Sequence, residues 1–189
     1  MMARSAEGSG TNALCGGRAQ EFRAETTGRA EPAVVYATLA DLQSHLEWAG
    51  QRRSKKTRLL TVEAPAGPAV RGTEFVTTGA DPMGSFSDHS VVTEATPGRA
   101  FEFVTEARLT LKRGGEPVEW TNVHRYEIAP EGNGSRVAYT IRIARLSSLP
   151  GGLRLLATPF AWILRMVWNT MMRRGLRTLV KVAEERANG

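Results

Sequence analysis

Apolar and polar residues change rhythm twice along this chain. Residues 20–27 (QEFRAETT) alternate, with Phe22, Ala24 and Thr26 on one side, which predicts a strand. Glu31-Pro32 then opens a helix. Proline suits the first helical position, where its φ is already helical and no N–H is left unsatisfied. Val35 and Leu39 stand four apart within residues 33–40, and Val34 widens the stripe. Asp41 is placed to cap a second short helix that runs through Trp48. From residue 56 the period falls to two. Segments 56–64, 70–78, 85–95, 99–111, 117–128 and 136–146 read as six consecutive strands. The turn signals between them are Pro65 to Pro68, Asp81-Pro82-Met83-Gly84, Pro97-Gly98, Arg113-Gly114-Gly115 and the Gly- and Asn-rich run from Pro130 to Ser135. Connections this short predict antiparallel pairing.

The period changes again at Pro150-Gly151-Gly152. Phe160, Leu164, Val167, Met171, Gly175, Thr178 and Val182 recur every three or four residues, which predicts one long amphipathic helix over 150–188 with that face inward. Pro159 marks a kink or a restart, because the residue before a proline is pushed out of the helical region. Arg173, Arg174, Arg177 and Lys181 suit the C-terminal end of the helix dipole and the solvent. Trp162, Met166 and Leu176 fall outside the inward stripe and leave apolar surface for a peripheral membrane contact. A membrane span is disfavoured: Pro159, Arg165 and Asn169 interrupt the apolar stretch, and a central Arg costs roughly 2.5–3.5 kcal/mol.

The expected fold is therefore α+β. Seven antiparallel strands form a curved sheet wrapped around a long C-terminal helix, with two short helices between strands 1 and 2. This is the helix-grip arrangement, and a sheet curved enough to hold a helix encloses a space.

Four segments resemble the START-like superfamily, within it the polyketide cyclase/dehydrase and lipid-transport group called SRPBCC. They are EPAVVYATLADLQSHLEW (31–48), VVTEATPGRAFEF (91–103), HRYEIAPEGNGSRVAYTIRI (124–143) and the arginine-rich tail LRLLATPFAWILRMVWNTMMRRGLRTLVKVAEE. The resemblance covers roughly residues 20 to 186. It implies a mostly apolar cavity between the sheet's concave face and the final helix. Members bind lipids, polyketides, hormones or quinones, and some are enzymes, so the resemblance implies no universal catalytic residue.

Composition narrows the picture modestly. Apolar content of 41% and charge of 23% fit one globular domain, placed at residues 19–186 behind a disordered tail over 1–18. The single cysteine, Cys15, excludes an intrachain disulfide, and no apolar leader precedes it, so a reducing, cytoplasmic setting is expected. The net charge of +6 favours anionic surfaces without selecting one. The basic run Arg52, Arg53, Lys55, Lys56 and Arg58 has no recognition motif beside it, so it reads as solvated loop and edge strand. No nucleic acid is expected as a partner. The sequence does not indicate an oligomeric state.

Candidate chemistry concentrates in the sixth strand. Val118, Trp120, Asn122, His124, Tyr126 and Ile128 share one face by the period of two, and Glu119, Thr121, Arg125 and Glu127 share the other. The charged face should meet water, which puts Asn122 and His124 among apolar neighbours. If Pro97 and Gly98 are the two central turn residues, Glu94 pairs with Phe101, Val92 with Phe103 and Ser90 with Thr105. Asp88 then faces inward and His89 outward, whereas a bulged turn reverses them. The main expectation is a binding protein for a lipid, polyketide or quinone-like molecule. Phe101, Phe103, Trp120, Tyr126, Leu164, Val167 and Met171 would supply apolar wall, and Asn122 and His124 would orient a polar group. The alternatives are a cyclase/dehydrase or aromatase in which Asp88 and His124 shift protons, and a membrane-associated lipid carrier. No cofactor is expected. No metal is expected either, since His45, His89 and His124 lack ligand spacing.

Overall fold

The computed structural model describes residues 20–49, 58–80, 82–146 and 161–189. The predicted tail, most of the basic run, Pro159 and Phe160 lie outside the described residues. So do the side chains of Arg58, Trp162, Leu164 and Val167.

The chain forms β1 (Gln20–Gly28), α1 (Pro32–Ala40), a 3-10 turn (Leu42–Ser44), α2 (His45–Trp48), β2 (Arg58–Glu63), β3 (Glu74–Ala80), β4 (Gly84–Thr96), β5 (Ala100–Leu111), β6 (Val118–Glu131), β7 (Gly134–Leu146) and α3 (Ala161–Ala187). The strands make one antiparallel sheet in the order β1-β7-β6-β5-β4-β3-β2. This is the expected α+β helix-grip fold. Consecutive hairpins carry the sheet from β2 to β7, and β1 adds to the far edge. The connection from β1 to β2 must therefore cross from one edge to the other. α1 and α2 fill that crossing and close one end of the concave face.

Local chemistry accounts for these elements. Pro32 occupies the first turn of α1, while Val35 and Leu39 are fully buried beneath it. Asp41 does not cap the following turn with its side chain, contrary to expectation. Its carboxylate instead pairs with Arg186 at 3.0 Å, and Arg186 also reaches Glu47 at 3.5 Å. The end of α3 is thus tied to the segment that carries α2. Ser135, fully buried, donates from its hydroxyl to Ala30 O at 2.9 Å, joining the β6–β7 turn to the start of α1. Gly28 lets β1 approach α3 closely: a Cβ at that position would collide with Val180 Cγ1.

The β4–β5 register agrees with the expectation for Ser90 with Thr105 and Val92 with Phe103. Glu94, however, pairs with Glu102 rather than Phe101, because the register shifts by one residue at Thr93. Pro97 and Gly98 form the turn, Gly98 taking φ 66° and Arg99 N donating to Thr96 O. The bulge lies between that turn and Val92. It resets the phase before the strand reaches Asp88, which still faces inward.

The inner face of α3 departs from expectation. Met172, Leu176, Leu179, Val180 and Ala183 are buried, whereas Met171 is exposed and Gly175, Thr178 and Val182 are only half-buried. The docking stripe is turned by one residue, about 100° of helix. The cause is what the helix packs on. It lies along β1 and against α1 and α2, so Leu176 and Leu179 meet those elements instead of solvent. Leu176 is 2% exposed, which removes it from the proposed membrane-facing surface. Among the described residues no helix is long and apolar enough to cross a membrane.

Replacing Leu179 with Ala should therefore cost about 2–5 kcal/mol of stability by urea denaturation, because a fully buried side chain is lost from the helix seat. Replacing Arg186 with Ala should cost less than about 1 kcal/mol, since both of its partners are largely solvated. Equal losses would contradict a helix held by its apolar stripe.

Candidate functional site

Strand alternation builds one wall of a cavity of about 390 Å³. β3 contributes Phe75 and Thr77. β4 contributes Phe86, Asp88 and Ser90, and β5 contributes Phe103, Thr105 and Leu109. From β6 come Trp120, Asn122, His124 and Tyr126, and from β7 come Tyr139 and Ile141. α2 adds His45 and Trp48 at the closed end, and α3 adds Met171, Met172, Gly175 and Leu176 from above. The space exists because α3 seats toward β1 and does not cover the centre of the sheet.

Rings dominate the closed end. Phe103 stacks on His124 at 4.6 Å between centroids, and Tyr126 stacks on Tyr139 at 4.4 Å. Trp48 meets Tyr126 edge-on at 6.0 Å, and His45 sits against Trp48 at 4.4 Å and Phe75 at 5.8 Å. Burial keeps both imidazoles neutral. His45 is pulled down to about 4 by desolvation, and His124 to about 3 by desolvation and then by the nearby His45. Burial raises the Tyr126 and Tyr139 phenols. His124 Nδ1 and the Tyr139 hydroxyl share a hydrogen bond at 2.7 Å. A neutral imidazole has one donor and one acceptor nitrogen, and a hydroxyl can serve as either partner.

A polar stripe crosses the sheet beside these rings. Ser90, Thr105 and Asn122 lie opposite one another on β4, β5 and β6, and Thr77 and Asp88 occupy the neighbouring row. The Ser90 and Thr105 hydroxyls bond each other at 2.9 Å. That leaves Asn122 Oδ1 buried with no hydrogen-bond partner, and Asp88 Oδ1 is in the same condition. Desolvation pushes the Asp88 carboxyl up to about 6.

Several sequence candidates line the cavity: Asp88, Phe103, Trp120, Asn122, His124, Tyr126 and Met171. Phe101 does not. It is 1% exposed and packs edge-on against Tyr36 of α1, in the solid core behind the cavity. His89 points outward to Glu74 at 3.2 Å. The Asp88–His124 pair is not formed. Asp88 lies in the row of Ala107 and Trp120, and His124 four residues further along β6. By strand geometry that is roughly 13 Å along the sheet and two strand spacings of about 4.8 Å across it. Tyr139 is the hydrogen-bond partner of His124 instead. Sequence reasoning missed His45, Trp48, Ser90, Thr105 and Tyr139. Tyr139 was accessible, because Val137, Tyr139 and Ile141 alternate on β7. His45 and Trp48 were not, because the 3-10 turn before α2 breaks the helical phase that would have placed them. Among the described residues no group of three His, Cys, Asp or Glu side chains is arranged to hold a metal ion.

A family model described as polyketide cyclase / dehydrase and lipid transport matches residues 19–184. Solved structures share the fold at low identity. An uncharacterized protein from Rhizobium leguminosarum aligns with TM-score 0.62 at 14% identity, covering 89% of this chain and 96% of that one. Protein CV1439 from Chromobacterium violaceum aligns with TM-score 0.56 at 13% identity over 87% and 96%. SA2116 from Staphylococcus aureus, a protein of unknown function, aligns with TM-score 0.57 at 11% identity over 91% and 98%. No curated protein matches the chain.

The half-buried Asp88, with its Oδ1 fully enclosed, predicts a pH signature. Its native pKa lies above the unfolded value, so between about 4 and 6 the native state holds more protons, and stability contributed by this group falls as pH rises. Asp88→Asn should therefore be more stable than the parent at pH 7 by about 1–3 kcal/mol. The gain should shrink toward zero as pH falls to about 4, where both states carry the proton. Urea denaturation across that range reads the difference. A gain independent of pH would contradict a desolvated carboxyl.

Proposed function

The chain belongs to the polyketide cyclase / dehydrase and lipid transport family, and we propose that it binds one small, largely apolar molecule between the sheet and α3. One observation carries this reading. The cavity is walled by rings and aliphatic side chains, yet its surface includes buried polar atoms that no protein group satisfies. Burying a polar atom without a partner costs roughly 1–3 kcal/mol, and a ligand supplies the partner. The few polar groups orient the ligand and the rings supply the contact area. Phe103, Trp48 and Tyr126 would grip an aromatic or alicyclic body, and Asn122 and His124 would orient its polar substituents.

Binding is favoured over catalysis by the same geometry. A proton-shifting pair needs its two groups within reach of one reacting atom. Asp88 and His124 are separated by two inward rows and two strands, and His124 Nδ1 is engaged by the Tyr139 hydroxyl.

The apolar fluorophore Nile red provides the test. It should bind the purified protein with a blue-shifted emission, one dye per chain by native mass spectrometry. Ala49→Trp, which places a large ring among the cavity lining, should weaken that binding by about tenfold or more while leaving the circular dichroism spectrum unchanged. Undiminished dye binding by a folded Ala49→Trp variant would move the site elsewhere.

A further inference from the structure

The polar atoms left open in the cavity restrict what can enter it. Among the described lining residues Asp88 is the one acidic side chain, and there is no Lys or Arg. His45 and His124 are neutral there and supply no counter-charge. On the sheet side the two unpartnered atoms, Asp88 Oδ1 and Asn122 Oδ1, are both acceptors. Beside them Ser90 and Thr105 share one hydroxyl–hydroxyl bond at 2.9 Å, which uses one of their two protons. Trp48 Nε1 is an unpartnered donor, but it is neutral and comes from α2 at the closed end.

From this layout we infer that the cavity selects a ligand whose polar group donates hydrogen bonds, a hydroxyl or a protonated amine on an aromatic body, and that it rejects carboxylates. The inference rests on the binding reading above and sharpens its ligand class. A donor meets Asp88 and Asn122 with the partner each lacks. A carboxylate brings a second negative charge into a low-dielectric space that already holds one, with no cation among the described lining residues to separate them. Fatty acids and aryl carboxylates are therefore excluded, while alcohols, phenols and amines of similar bulk are admitted.

A matched series tests this at neutral pH: naphthylmethylamine, naphthylmethanol, methylnaphthalene and naphthoic acid, each titrated by calorimetry and by displacement of Nile red. The bodies are alike and only the head group changes. The amine and the alcohol should bind best, and naphthoic acid about tenfold or more below the alcohol. Asp88→Asn should remove the carboxylate's disadvantage and cost the amine about tenfold. Asn122→Ala, a second variant at the other open acceptor, should reduce the alcohol's lead over methylnaphthalene. Naphthoic acid binding as tightly as the alcohol, or a ranking unchanged in Asp88→Asn, would overturn the inference. If all four bind equally, the cavity stands and its selectivity falls. If none displaces bound Nile red, the inference is overturned while the binding reading stands; if Nile red does not bind either, that reading fails and takes this inference with it.

Discussion

The structure depends on a mismatch between one helix and one curved sheet. α3 is a single cylinder, about 10 Å across with its side chains, and it cannot cover the whole concave face of seven strands. It buries its strongest apolar stripe where α1, α2 and β1 offer a matching surface. The middle of the sheet, from β3 to β7, is left to face empty space. Everything specific about the site follows from that seat. The helix reaches the cavity with Met171 and Gly175 beside its docking stripe and with Met172 and Leu176 at the stripe's edge, while the sheet supplies most of the lining.

Stability and the site pull in opposite directions. His45 Nδ1, Trp48 Nε1, Asp88 Oδ1 and Asn122 Oδ1 are buried without partners, each at roughly 1–3 kcal/mol. Together that is comparable to the whole stability of an ordinary domain, about 5–15 kcal/mol. The solid part of the core offsets it. Val35, Leu39, Leu179 and Val137 are fully buried together, on the side of the molecule away from the polar stripe. The outer face of the sheet adds an ion network in which Arg125 meets Glu94 at 2.6 Å and Glu102 at 3.0 Å. The orphaned atoms thus sit in one place, where a ligand can complete them, and are not scattered through the core.

Much of this was legible in the alternation of residues. Period two on β6 placed Trp120, Asn122, His124 and Tyr126 on one face without reference to any partner. Asp88 faces inward as expected because the bulge at Thr93 cancels the one-residue slip that starts at the Pro97-Gly98 turn. The misreadings have separate physical causes. A bulge at Thr93 is one extra residue with no sequence signature, so the Glu94–Phe101 pairing could not be separated from its neighbour. α3 is apolar over a wide arc, so its buried face is decided by α1 and β1 and not by its own periodicity. Phe101 shows the limit of inward and outward as categories: its face was correct, yet Tyr36 of α1 fills the space in front of it. The distance between Asp88 and His124 needed the pairing of three strands at once, which no single segment contains.

The central claim is that the space beneath α3 is a binding site and not a packing defect. Crystals of the protein soaked with bromonaphthalene test it directly, because bromine scatters anomalously and reports position without interpretation. One bromine peak is predicted between the sheet and α3, with the naphthalene ring against Phe103 and Trp48. A cavity without bromine, with the peak on the outer surface or none at all, would contradict the account.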